Sequence, residues 1–468
     1  MQKKTVTALL TVLVLFTACS KDFLDLTPPN AVPLNEAIVD ENSMQTAVNG
    51  MYSGLRAIDL FGRSIPIDGD LLADNIYLSP QNSNRYIPEY TYTYIETNGV
   101  VNNMWAGGYN VILRANNIIN ADIPSNEVVD QLKGEARTIR ALCYFELVKF
   151  FAPHYGVNPN ADGVPLVLQY DPNLKPARNT VAEVYNQIEA DLLAAYELLT
   201  QEKGSAYVSK YVAASLLARM YQFKGDWENA LNWSLDVLQN GNYGVAPGGS
   251  LLSYWANPAS VSNRLETIFE IDFDVIGNNG TDDLAYFYAQ EGYGDALATD
   301  DLYNLYSETD VRRELIIPGS RAGIDVWVVN KYPNTTNPND KDNIKVIRFA
   351  EVVYILIEAL YRLGDEANAV SLLNQLTQLR DFDFPGYTST GAQLLEDIYT
   401  ERRKELAFEG HRYWDLVRLG RAVVRDNSTG NYQPFVPLEL PVSSPRRIYP
   451  IPKAELNVNS NVEQNEGY

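Results

Sequence analysis

The chain has 468 residues, 46% hydrophobic and 11% aromatic, with 37 Lys and Arg against 59 Asp and Glu and a formal net charge of −22. That length exceeds the usual size of one hydrophobic core and predicts one large domain or two intertwined ones. The acidic balance repels polyanions at range, which excludes nucleic acid and anionic lipid as main ligands and leaves room only for a local basic patch.

The N-terminus, MQKKTVTALLTVLVLFTACS, places Lys3 and Lys4 before an apolar run over 6–16, followed by small residues. This is the pattern of a signal peptide over 1–18, and the run is too short to cross a bilayer as a helix. The tetrapeptide FTAC, ending at Cys19, is similar to a bacterial lipobox, with Phe16 where Leu is usual. Acylation of Cys19 predicts a chain anchored to a membrane rather than spanning it, since no later stretch reaches 18 uninterrupted apolar residues. Cys143 is then the only thiol left, so no intramolecular disulfide can form. Residues 19–35 read as the lipidated Cys and an extended tether, with Pro28, Pro29 and Pro33, ahead of a single domain over 36–468.

Helical periodicity follows. Residues 36–58, 101–121, 131–152 and 180–200 place apolar side chains at i, i+3, i+4 and i+7. Residues 215–238 and 357–379 each read as a helix pair broken by a Gly-Asp turn, Gly225-Asp226 and Gly364-Asp365. Ala218, Tyr221, Gly225 and Ala230 correspond to Ala359, Tyr361 or Arg362, Gly364 and Ala369, with a two-residue slip at the turn. These are tetratricopeptide-type hairpins, interrupted by loop insertions near 61–101 and 241–347. The stretch 401–421 holds six Lys or Arg and four acids and reads as one helix. Its charges pair at i, i+3: Glu401 with Lys404, Arg402 with Glu405, Glu409 with Arg412, and Asp415 with Arg412 or Arg418. Leu406, Tyr413, Trp414, Leu416 and Val417 form its buried side. A Pro-rich coda over 428–452 wraps back over the core.

Catalytic patterns are missing. The only histidines, His154 and His411, lie beside helical scaffold, and neither G-x-S-x-G, a P-loop nor G-x-G-x-x-G after a strand occurs. The segment DFDVIGNNGTDD begins like a calcium loop at Asp272, Asp274 and Gly277, but Ile276 and Asp283 stand where oxygen ligands are needed, so it reads as a solvated acidic turn and calcium is unsupported. No metal, cofactor or catalytic residue is assigned. The 59 acids offer many carboxylate pairs, and no spacing singles one out for glycoside hydrolysis.

Aromatic residues are more informative. Of 31 tyrosines many fall in the insertions, where a ring can cover the C–H face of a pyranose at little cost in side-chain entropy while Asn, Asp and Arg bond the hydroxyls. The candidate ligand-binding residues are Asn75, Tyr77, Arg85, Tyr86, Tyr90, Asn103, Tyr288, Tyr293, Trp327 and Tyr332.

The ordered blocks SKDFLDLTP, GEARTIRALCYFELVKFF leading to GVPLV, TVAEVYNQIEADLLAAYELL, KGDWENAL, IEALYRLGDEANAVSLLNQL, ERRKELAFEGHRYWDLVR and the terminal YPIPKAELNVNSNVEQNEGY resemble the SusD/RagB family of outer-membrane nutrient-binding lipoproteins. The resemblance implies a predominantly all-α, SusD-like fold with four tetratricopeptide-like helix pairs and a loop-rich face carrying a few short strands. It implies a non-catalytic cell-surface lipoprotein that captures oligo- or polysaccharide and delivers it to a SusC-like TonB-dependent transporter. Peptide capture by the same lid-type mechanism and a secreted glycoside hydrolase are the alternatives. Family sites lie in variable loops, so no binding residue carries over by position.

Overall fold

The computed structural model describes residues 37–257, 265–274, 276–335 and 342–468. The leader over 1–18, Cys19 and the tether over 19–35 lie outside the described residues. Helix α1 (Glu41–Leu55) starts at a capping box in which Asp40 accepts from the Ser43 amide at 2.8 Å and Ser43 accepts from the Asp40 amide at 3.0 Å. It pairs with α2 (Gly99–Ile119), and α3 (Glu127–Phe151) pairs with α4 (Val181–Leu198), whose cap is the reciprocal Thr180–Glu183 box. The third pair is α5 (Lys210–Lys224) with α6 (Trp227–Asn240), and the fourth is α7 (Phe349–Arg362) with α8 (Glu366–Arg380). The four pairs stand side by side, α2 against α3, α4 against α5, and α6 against α7. Helix α3 touches α1, α2, α4 and α5 and is accordingly buried around most of its circumference, Leu132, Ile139, Phe145 and Phe151 included.

The third and fourth pairs turn identically. Gly225 (φ 74°) and Gly364 (φ 89°) take the left-handed conformation, and the Asp after each caps the next helix by accepting from Asn229 and Asn368 amides, both at 3.2 Å. The amides of Asp226 and Asp365 bond the carbonyls of Tyr221 and Leu360, so Tyr221 corresponds to Leu360. The two-residue slip expected from sequence is therefore absent: both turns keep one register.

The two insertions fold together instead of forming separate irregular segments. Strand β1 (Ile76–Leu78) comes from the first, and the second contributes β2 (Thr267–Ile271), β3 (Ala296–Ala298), β4 (Ile316–Arg321) and β5 (Ile324–Val329). An antiparallel sheet runs β1-β3-β5-β4 and pairs Ile76 with Ala298 and Leu78 with Ala296. Strand β6 (Ile344–Arg348) pairs with β2 and passes directly into α7, where the Phe349 amide bonds the Glu266 carbonyl at 2.8 Å. The coda returns as expected: the Tyr449 amide bonds the Phe150 carbonyl at 2.7 Å and Arg446 donates to the Tyr94 carbonyl at 2.9 Å, while on either side of it Arg425 donates to the carbonyls of Ala73, Leu71 and Tyr90 and Asn465 bonds those of Phe151 and Tyr449.

The stretch 401–421 departs from its expected form. Helix α9 (Gly391–Glu405) ends at Glu405, and α10 (Arg412–Arg418) begins after a turn with Phe408 (φ 69°) and Gly410 (φ 80°) left-handed. That break lets the 410 backbone press on the short helix Ser64–Leu71, where a Cβ on Gly69 would meet the Gly410 carbonyl oxygen at 2.0 Å. Two expected pairs form, Glu401–Lys404 at 2.8 Å and Asp415–Arg418 at 2.8 Å. The others are replaced by distant, buried partners. Glu405 receives Arg348 and Arg380, each at 3.0 Å, and Arg312 at 3.4 Å; Glu409 receives Arg348 and Lys331, each at 2.7 Å. Arg402 reaches Asp415 at 2.9 Å and Arg412 reaches Asp74 at 2.7 Å. Burial alone would raise the Glu405 carboxyl, and Arg380 and Arg348 outweigh it and hold it well below the usual range.

Removing one member of a buried network leaves the others uncompensated. Glu405→Gln is expected to cost about 3–5 kcal/mol in chemical denaturation, whereas Arg421→Ala, which breaks an exposed pair with Glu396, is expected to cost no more than about 1 kcal/mol. Equal losses in the two variants would refute this account.

Candidate functional site

Six of the ten candidates are enclosed. Asn75 donates to Asp70 at 2.8 Å and accepts from Arg403 at 2.8 Å. Tyr77 and Tyr90 pack on Tyr432, and the Tyr86 hydroxyl lies between Arg63 at 2.9 Å and Ser64 at 2.8 Å. Tyr288 and Tyr332 stack at 6.0 Å between centroids, and the Tyr332 hydroxyl donates to the Phe408 carbonyl at 3.1 Å. All six are buried, none more than 6% exposed. The physical reason is that irregular segments, lacking an amphipathic period, exclude water by packing large aromatics against one another.

The structure brings Arg85 and Tyr293 together, both half-exposed, across 208 residues of sequence. Asn84 (φ 62°) and Tyr86 (φ 57°) flank Arg85 in the left-handed region. That local twist carries the Tyr86 ring inward and leaves Arg85 at the surface. The Arg85 guanidinium sits 4.2 Å above the Tyr293 ring, and donates to Asp282 at 3.2 Å and to the Tyr293 hydroxyl at 3.3 Å. The bond from Arg85 lowers the Tyr293 phenol from its ordinary value. Tyr286 meets Tyr293 edge to face at 5.1 Å, and the Tyr293 amide donates to the Tyr286 carbonyl at 2.8 Å. Gly292 allows this closure, since a Cβ there would lie 2.2 Å from the Tyr286 oxygen. The result is two rings and a guanidinium fixed at one surface.

Asn103 and Trp327 belong to other clusters. Asn103 is exposed on α2 and accepts from the Asn102 side chain at 3.4 Å, and the Trp327 indole N–H donates to Asp300 at 2.8 Å while its ring stacks on Tyr303. Sequence reasoning did not assign Asp282, which anchors both Arg63 at 3.1 Å and Arg85 at 3.2 Å. Its signal was the acidic turn read as calcium-like. In that turn Asp274 caps the amide of Ile276 at 2.9 Å and Asp272 lies 3.5 Å from Arg56, while Val275 lies outside the described residues. Among the described residues no group of three or more His, Cys, Asp or Glu could hold a metal ion.

Cys143 is buried, and His154 and His411 are half-buried. Burial drives His411 and His154 down to about 4, and it pushes the Cys143 thiol up. Beneath the cluster, burial drives Glu89 up to about 7, and Asp68 is raised by burial and then by the charge of Glu89. Asp68 accepts from the Tyr449 hydroxyl at 2.8 Å, and Glu89 forms no ion pair among the described residues.

A family model described as starch-binding, associating with the outer membrane, matches residues 22–222, and the SusD family model matches residues 322–468. SusD-like protein P2 of Formosa agariphila is 28% identical over 487 residues, 91% of this chain and 92% of that protein. A SusD superfamily protein of Bacteroides vulgatus, solved by crystallography, superposes with a TM-score of 0.85 at 28% identity over 92% of this chain and 100% of that one. The starch-binding protein SusD of Bacteroides thetaiotaomicron is 29% identical over 181 residues, 36% of this chain and 31% of that protein. Among the described residues no helix is long and apolar enough to cross a membrane.

The raised Glu89 gives a sign to test. Its folded value of about 7 exceeds the ordinary 4.5, so the folded chain holds this proton more tightly than the unfolded one. The resulting stability is fully present below pH 4.5 and is lost as pH rises through 7. Glu89→Gln is expected to match the wild type near pH 4.5 and to exceed it at pH 8 by on the order of 2 kcal/mol in urea denaturation. A pH-independent difference would contradict it.

Proposed function

The chain belongs to the SusD/RagB family, and from that premise we propose that it captures oligo- or polysaccharide at the cell surface, without cleaving it, and passes it to a SusC-like TonB-dependent transporter. The family is one of sugar binding and outer-membrane association. The observation that carries the reading to this chain is the Arg85–Tyr293–Tyr286 cluster. The rings offer apolar faces for the C–H surface of a sugar, and Arg85 and Asp282 offer donors and acceptors for its hydroxyls. These groups are already held by bonds among themselves, so little side-chain entropy remains to be lost on binding.

Cys19 is the proposed attachment to the outer membrane, with residues 19–35 as the tether and 36–468 as the binding body. Acyl chains contribute about 0.8 kcal/mol per buried methylene, so several chains on one cysteine hold it at the membrane durably. Tethering beside a transporter raises the effective concentration, and weak capture of each sugar then suffices.

Calorimetry of the full chain against a panel of neutral and acidic polysaccharides tests this reading. The double variant Arg85→Ala with Tyr293→Ala is expected to bind its glycan about tenfold more weakly or worse, with an unchanged thermal midpoint, from the loss of one ring contact and one charged hydrogen bond. Unchanged affinity would place the platform elsewhere, and release of reducing sugar by the wild type would overturn the non-catalytic part.

A further inference from the structure

A second cleft, of about 570 Å³, opens between α1, α2 and the loop that carries Gly277 and Asn279. This size is typical of small-ligand sites. Its lining includes two guanidinium groups, Arg56 and Arg114, with Ser53, Asn110 and Asn279, and it includes no carboxylate. On a chain of net charge −22 a cleft lined by two arginines and no carboxylate is unexpected, with Asp272 and Asp274 reaching Arg56 only from outside the lining and Arg114 left without an acid among the described residues.

Arg114 is exposed on α2, donates to the Gly50 carbonyl and forms no ion pair among the described residues. Its helical neighbours at three and four residues are Asn110, Val111, Asn117 and Ile118, so no acid stands where an intrahelical partner would be. Arg56 has only long ion pairs, 3.5 Å to Asp272 and 3.8 Å to Asp274. Both guanidiniums are seated against glycines. A Cβ on Gly277 would fall 1.9 Å from Arg56 Nη1, and one on Gly54 would fall 3.3 Å from Arg114 Nη1.

The cleft does not stand alone. A neighbouring one of about 260 Å³ shares Ser53 and Arg56 and adds the carboxylates Glu270 and Asp272 together with Tyr52 and Tyr207, whose rings meet edge to face at 5.6 Å. Tyr207 is 39% exposed, which leaves an aromatic surface for a sugar ring beside the cations. On the other side, the segment from Gly277 to Asp282 spans at most about 18 Å and ends on the residue that anchors Arg85.

We propose that the Arg56–Arg114 cleft binds the anionic substituent, carboxylate or sulfate, of an acidic saccharide; the proposal rests on the chain being a saccharide binder. Arginine suits this role because its planar fork matches both oxyanions in a bidentate geometry. The overall negative field acts as a filter. It opposes a densely charged polymer and admits a glycan whose acidic groups are spaced apart.

The test is calorimetry of the full chain with three probes: a neutral galactan oligosaccharide, an oligogalacturonate and a sulfated galactan oligosaccharide. At least one acidic probe is expected to bind more tightly than the neutral one. Arg114→Gln should weaken that probe about tenfold, the worth of one charge-assisted contact, and leave the neutral probe unchanged. Arg114→Lys should recover only part of the loss, since it restores the charge without the fork. A response limited to the galacturonate assigns a carboxylate, and one limited to the sulfated probe assigns a sulfate ester. If neither acidic probe exceeds the neutral one, or if Arg114→Gln leaves their affinities intact, the proposal is overturned. The two sites separate cleanly: loss of every probe in Tyr293→Ala with no effect of Arg114→Gln removes the cleft and keeps the platform, and the reverse removes the platform alone.

Discussion

Glu405 lies where the last scaffold helix meets the inserted strands, and three guanidiniums converge on it from different elements. Arg380 ends α8, Arg348 ends β6, and Arg312 sits in the turn before β4. Around them the acids Glu266, Glu401, Glu405, Glu409 and Asp310 alternate with the bases Arg312, Lys331, Arg348, Arg380 and Lys404. The set is balanced in sign and sealed from water, so each charge is compensated only by its neighbours. Displacing any one of these elements would strand a buried charge, and this couples the helical array to the sheet more rigidly than apolar contact alone would.

That coupling matters for the candidate sites, which are built from loops. Arg85 and Tyr293 belong to segments joined by the β1–β3 ladder, and β6 continues into α7 without a linker. A loop platform on so firm a base keeps its rings in place without a ligand, the condition for binding weakly held sugars at modest entropic cost.

The helical scaffold was legible in the sequence because helix formation is local: the apolar period, the Asp226 and Asp365 caps and the left-handed glycines are all set within a few residues. The inserted face was not, for a reason visible in its tyrosines. Tyr86 and Arg85 are adjacent, and only the backbone twist at two non-glycine positions decides that one is core and the other surface. The charged stretch misled in the same way. At i, i+3 spacing Arg402 faces Glu405 on paper, but a partner such as Arg380 or Arg348 lies beyond any periodic signal. Arg114 and Arg56 left no mark in composition, since what distinguishes them is the cleft they share, which only the fold brings together.

The C-terminal segment adds a constraint of a different kind. Arg425 holds carbonyls up to 354 residues earlier, and Asn465 ties the end of α3 from a distance of 314 residues. Contacts of such sequence separation close late, after most of the chain is available to search for them. Some partners of the first insertion are thus supplied by the last tenth of the polypeptide, beside those that β3 and Arg403 supply. A chain interrupted before that point retains unsatisfied backbone and exposed aromatics where the finished molecule has a sealed face. The last residues to be made are therefore part of the seal over the first insertion, and the closed face belongs to the whole chain.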